Sequence, residues 1–164
     1  MSAPAPLRRR LTVLRADVRF ARRLSRTDWA AVIGAAAVAL GVEVGFRTLR
    51  LPTLARLVGA PLDPTPGIGP SSDDPLAGLG LSPGELRRLA LTAAVVRRWP
   101  ADAKCLRRSL VCGWRLRALH PRLVVGVAKV DGEIKAHAWL TVSGVSLDPA
   151  GSAEYAKLVA VGES

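Results

Sequence analysis

The sequence predicts an α+β fold in which helices, one of them carrying a candidate nucleophilic cysteine, pack on an antiparallel sheet. Three observations predict it. Apolar residues recur at helical spacing through 7–26, 29–46 and 85–119. Residues 123–147 change to strand-like runs broken by Asp131-Gly132 and Ser143-Gly144. The 164 residues, 49% hydrophobic and 23% charged, suffice for one small domain with an appendage.

Charge and punctuation divide the chain. Residues 1–60 carry a net +8, 61–85 a net −4, 86–129 a net +10 and 130–164 a net −3. Six prolines and six glycines fall between Gly59 and Gly84, the composition of a linker or long surface loop. The expected organisation is therefore an N-terminal helical segment over 1–58, a linker over 59–84 and a core over 85–164. Net charge is +11 with only seven Phe, Trp and Tyr in total, which argues against a nucleic-acid partner read by base stacking. Two cysteines cannot build a disulfide framework, so the setting expected is reducing and cytoplasmic.

The first helix spans Leu7 to Arg26. Leu7, Leu11, Leu14, Val18 and Ala21 form one stripe and Arg15, Arg19, Arg22 and Arg26 a second, which makes a basic amphipathic helix suited to its own domain, an acidic partner or anionic lipid. A second, apolar helix covers Trp29 to Phe46 with Glu43 as its only charge. Its uncharged part, Trp29 to Val42, is shorter than the ~20 residues of a membrane span and fits a core helix better. Residues 7–46 are nonetheless a candidate for peripheral membrane contact. Ala37-Val38-Ala39 resembles a signal-peptide cleavage site, but the apolar run continues past it.

In the core, a helix from Glu85 to Trp99 stops at Pro100, and another runs from an Asp102 cap to about Leu119, where His120-Pro121 ends it. Strands Leu123–Val130 and Glu133–Val142 flank the Asp131-Gly132 turn, and Ser143-Gly144 leads into a third, Val145–Leu147. Cys105 stands in the first turn of its helix, where unpaired N–H groups and the helix dipole favour a thiolate, and Lys104, Arg107 and Arg108 add positive charge. Cys112 lies seven residues further on, about 10.5 Å along the axis, out of reach of a disulfide with Cys105.

A two-residue turn pairs Val130 with Glu133, Ala128 with Lys135 and Gly126 with His137, so the imidazole faces a residue without a side chain. The next turn pairs Val142 with Val145 and Trp139 with Asp148, placing Asp148 diagonal to His137 on one face. Cys105, His137 and Asp148 thus form a candidate Cys-His-Asp triad. Cysteines and histidines at 105, 112, 120 and 137 lack the spacing of local zinc sites, so no metal is expected. With no G-x-x-x-x-G-K in the chain, no P-loop cofactor site is expected either.

The segments CLRRSLVCGWRLRAL and LVVGVAKVDGEIKAHAWLTVSGVSLDP, within residues 105–149, resemble the transglutaminase-like cysteine peptidases that remove leader peptides in lasso-peptide biosynthesis. The resemblance rests on Cys105 in C-L-x-x-S-L, His137 in A-H-A-W, and Asp148 after the second turn. It implies a transglutaminase-like, papain-like core and an endopeptidase that cuts a ribosomally made precursor between leader and core. In that reading Cys105 attacks, His137 serves as base and then acid, and Asp148 orients the ring. The implied partners are the precursor, a separate leader-recognition protein and a macrolactam synthetase. Residues 1–58 show helical periodicity and no alternating strand run, so a fused strand-adding recognition domain is not expected there. Two other readings use the same residues: acyl transfer from the same thioester to an amine, and a non-catalytic basic protein that anchors a membrane or partner.

Overall fold

Ser25 fixes the start of the first helix. Its hydroxyl accepts from the Asp28 N–H at 3.1 Å while the Asp28 carboxylate accepts from the Ser25 N–H at 2.9 Å, a reciprocal cap that satisfies two otherwise orphaned donors. Helix α1 therefore spans Arg26–Thr48, and Arg26, expected at the end of the preceding helix, is its first residue. The computed structural model describes residues 24–63, 76–99, 104–130, 133–147 and 156–157. The expected helix up to residue 23, the middle of the linker, Asp102, the Asp131-Gly132 turn and Asp148 lie outside these.

The inward stripe of α1 is Ala31, Ala35, Ala39, Val42 and Gly45, small side chains that let neighbouring backbone come close. A Cβ at Gly45 would sit 2.5 Å from Leu54 Cδ1. Leu54 belongs to α2, Leu51–Leu57, a short helix with Pro52 in its first turn that the apolar periodicity did not reveal. At Gly59 the chain turns with φ +80°, where an added Cβ would lie 2.9 Å from Arg117 Cβ, so both conformation and space call for glycine.

Both described ends of the expected linker are ordered. The Leu123 N–H donates to the Pro61 carbonyl and the Asp63 N–H to the Leu123 carbonyl, each at 2.9 Å, a parallel bridge beside the sheet. At the far end Ser82 caps α3, Pro83–Arg97, with its hydroxyl accepting from the Glu85 N–H. Hydrogen bonds from Ser82 hold the Glu85 carboxyl below its usual range. Helix α3 thus begins two residues before the expected Glu85, at the proline a first turn tolerates.

Helix α4, Lys104–Arg115, is followed by a 3-10 turn, Arg117–Leu119, and by His120 in the left-handed region at φ 49°. Strands β1, Arg122–Val130, and β2, Glu133–Val142, pair antiparallel in the expected register, including Gly126 with His137. Ser143 and Gly144 turn with φ 51° and 81°, both positive as a type I′ two-residue hairpin requires. They lead into β3, Val145–Ser146, where Val142 pairs with Val145 as the sequence implies. A further strand, β4, Ala156–Lys157, adds to the free side of β1. The sheet order is β3-β2-β1-β4.

Helix α4 packs on α1 and α3 and also on β2 and β1. Leu110, Val111 and Leu123 are fully buried at this centre, with Ala39, Val42, Leu54, Ala138 and Leu140 in the same cluster. Two ion pairs bind α1 to the rest. Asp28 accepts from Arg87 Nε and Nη2 at 2.8 and 2.9 Å, and these bonds, with that from Ser25, hold its carboxyl well below the usual carboxylate range. Glu43 accepts from Arg107 Nε and Nη2 at 3.1 and 2.8 Å. At 23 residues α1 is long and apolar enough, by length and composition, to cross a membrane, yet both of its carboxylates point into the protein.

Candidate active site

The site is built on the amino end of α4 and the middle of β2. Cys105 is the second residue of α4 in the described structure, half-buried and packed against the core cluster. Its sequence neighbourhood is less positive than the count of bases implies. Arg107 is 3% exposed and committed to Glu43, and its guanidinium also lies 5.7 Å from the Phe46 ring centre. Arg108 remains exposed.

Cys112 lies in a different environment on the same helix. It is 8% exposed, and burial pushes its thiol up to about 11 despite the opposing pull of Arg108. A thiol so placed is a core residue, and its nucleophilic thiolate is scarce at neutral pH.

His137 is half-buried in β2, with its ring stacked on Trp139, centroids 5.8 Å apart and planes at 23°. The two side chains lie two residues apart and share a face. Trp139 is 3% exposed, so the imidazole rests on a ring that the fold itself holds still. Gly126 stands across from it, as the register requires.

The relation between α4 and β2 follows from two contacts. Ser109 Oγ donates to the Ala138 carbonyl at 3.0 Å, and a Cβ on Gly113 would lie 3.5 Å from Leu140 Cδ2. Four residues along the helix, about 6 Å, therefore match two along the strand, about 6.6 Å, and the two elements run in the same direction. One turn back from Ser109, the same correspondence brings Cys105 level with Ala136. The Leu140 carbonyl accepts from the Leu147 N–H at 2.8 Å, so the backbone groups of Ala138, two residues earlier, point toward that same edge of β2. The helix face shared by Cys105 and Ser109 thus meets β2 at its edge, while the imidazole leaves the strand from the face opposite Leu140.

Cys105 thus stands at the amino end of α4, which packs on the face of β2 that carries Ala138 and Leu140, and His137 projects from the opposite face of that strand. Asp148 lies outside the described residues. Ser109, which ties α4 to β2, was missed by sequence reasoning; its signal was the i, i+4 spacing from Cys105. The Glu43–Arg107 pair was equally unseen, although Glu43 stood out as the lone charge of an apolar run. Among the described residues no cluster of three or more His, Cys, Asp or Glu could hold a metal ion.

No curated protein and no solved structure matches the chain. A family model described as the transglutaminase-like superfamily matches residues 36–160, which takes in the carboxyl half of the apolar helix, the cysteine helix and the sheet. That superfamily includes cysteine peptidases and acyltransferases. The match covers well over half of the sequence, and the chain belongs to the transglutaminase-like superfamily.

Proposed function

We propose that this protein is a cysteine endopeptidase that removes the leader from a ribosomally synthesised lasso-peptide precursor, with Cys105, His137 and Asp148 as its triad. The observation that supports the reading is Cys105 at the amino end of α4, a helix tied by the Ser109–Ala138 bond to β2, the strand that bears His137. The narrower identity of the substrate rests on the likeness of residues 105–149 to leader peptidases.

In this mechanism His137 takes the Cys105 proton as the sulfur attacks the carbonyl at the leader-core junction. The tetrahedral oxyanion is met by backbone N–H groups at the start of α4, that of Cys105 first among them. His137 then protonates the departing amine, which frees the core peptide for a macrolactam synthetase. Water, deprotonated by the same imidazole, hydrolyses the thioester and releases the leader. Asp148 holds the ring in the tautomer that the first step needs. A separate leader-recognition protein presents the precursor. The Arg15, Arg19 and Arg22 stripe, without the Arg26 that begins α1, is a candidate surface for docking that protein or an acidic leader.

The test is mass spectrometry of the full chain mixed with the precursor encoded beside its gene, with and without the recognition protein. Leader and core fragments that vanish in His137→Ala and persist weakly in Asp148→Asn are expected, because an amide still holds the ring but controls its tautomer poorly. Inactivity of Asp131→Asn alongside full activity of Asp148→Asn would show that the wrong acid has been assigned. An intact precursor under every condition, with the fold retained, would sink the peptidase reading. Fast alkylation of Cys105 near pH 6 separates an enzyme of either class from a non-catalytic anchoring protein.

A further inference from the structure

The face of α1 turned away from the core is apolar along its whole length. Trp29, Ile33, Leu40 and Val44 are 45%, 63%, 58% and 54% exposed, and Ala30, Ala37 and Gly41 complete the same arc at helical spacing. Between Arg26 and Arg47 this arc holds no polar side chain. From Trp29 to Val44 it is about 22 Å long. Leu49 and Leu57, 40% and 69% exposed, follow beyond its carboxyl end.

The exposed charges that α1 and α2 themselves carry beside this stripe have one sign. Arg26, Arg47, Arg50 and Arg56 are exposed near its ends, whereas Asp28 and Glu43 of α1 point inward to Arg87 and Arg107. The preceding residues 1–23 add seven arginines and one acid. A second copy of the chain, or those same Arg-rich residues folded back, would meet this rim with like charge. An anionic bilayer surface takes up the apolar stripe and the arginines together.

We infer that α1 docks on anionic membrane lipid, lying in the interface with Trp29, Ile33, Leu40 and Val44 among the acyl chains and the arginines at the headgroups. It lies along the membrane and does not cross it. A spanning α1 would carry Asp28 and Glu43, with the Arg87 and Arg107 that pair with them, into hydrocarbon. The inference is independent of the peptidase reading, since none of its residues belong to the amino end of α4.

The experiment is cosedimentation of the full chain with vesicles of phosphatidylcholine alone or mixed with phosphatidylserine. Partition onto the mixed vesicles is expected to be at least about tenfold stronger and to weaken as salt rises. Ile33→Glu with Leu40→Glu changes two exposed positions, so its thermal melting should match the parent while partition falls by about a hundredfold or more. As a second reading, brominated lipid should quench part of the tryptophan fluorescence, and Trp29→Phe should remove that part. Equal binding to neutral vesicles, or unchanged binding by the double variant, would overturn the inference. So would resistance of the bound chain to alkaline carbonate, which marks a span. Self-association lost in the double variant, with no vesicle binding by the parent, would make the stripe an interface between copies and overturn it likewise.

Discussion

The two ends of α4 are held in place by different physics. Its carboxyl half is packed: Leu110 and Val111 are fully buried, Cys112 is 8% exposed, and a Cβ on Gly113 would come within 2.7 Å of Ala60 Cβ. Its amino half is tied by polar groups, Arg107 to Glu43 and Ser109 to the Ala138 carbonyl, while Cys105 itself stays half-buried. Close packing fixes where the helix lies but seals off whatever it covers. Directional bonds fix the other end without closing it, which is what a thiol that must meet a substrate requires. The same residue type seven positions apart thus becomes core in one place and a candidate nucleophile in the other.

The sharpest way to break that contrast is to remove each sulfur in turn. Cys105→Ala should lower precursor cleavage by at least about a thousandfold with little change in stability. Cys112→Ala should keep most activity and lose about 1 kcal/mol of stability from the small cavity. A labelling measurement checks the cause: with the Cys112 thiol pushed up to about 11, about one molecule in a thousand carries its thiolate at pH 8. Alkylation of the native chain should therefore stop at one equivalent, on Cys105. Equal labelling of both cysteines, or equal loss of cleavage, would remove the distinction between the two ends.

Next in size is the polar tie at the amino end. Arg107 is 3% exposed and the Glu43 side chain 25% exposed, so Glu43→Gln withdraws a charge from a partner that cannot reach bulk water. The expected loss is about 3 kcal/mol, at the low end for buried pairs because Glu43 is partly solvated. Urea denaturation measures it. Because the tie holds the open half of α4, alkylation of Cys105 should also speed up in this variant while Cys112 stays protected. Loss of stability with no change in Cys105 reactivity would mean that the pair supports α1 alone.

Local chemistry was legible in the sequence, and distant pairing was not. The β1–β2 register, with Gly126 across from His137, follows from a two-residue turn and counting. The β2–β3 turn follows from Ser143-Gly144 in the same way. The capping boxes at Ser25 and Ser82 were also readable, three residues ahead of an acid each time, and reading them would have corrected the starts of α1 and α3. Contacts between Asp28 and Arg87, and between Glu43 and Arg107, join residues about sixty positions apart and leave no local pattern. The pairing of residues 61–63 with Leu123 was hidden by a Pro/Gly composition that reads as loop, because a bridge needs only two backbone hydrogen bonds and no side-chain pattern. Strand β4 is two residues long, too short for alternation to register.

The smallest expected effect tests the link between the halves of the site most directly. Ser109 Oγ gives its proton to the Ala138 carbonyl on β2, one helical turn from Cys105 and one residue from His137. Ser109 is 6% exposed, so Ser109→Ala leaves that carbonyl without its hydroxyl donor and should cost about 1 kcal/mol. Cys112→Ala should cost about the same through a different cause. The two variants therefore form a pair matched in stability, and activity tells them apart. If Ser109 sets the distance between α4 and β2, its loss should lower kcat by about tenfold, since small misplacements of reacting groups are expensive, and leave KM little changed. An unchanged kcat and KM in Ser109→Ala, at the expected loss of stability, would reduce Ser109 to a packing bond.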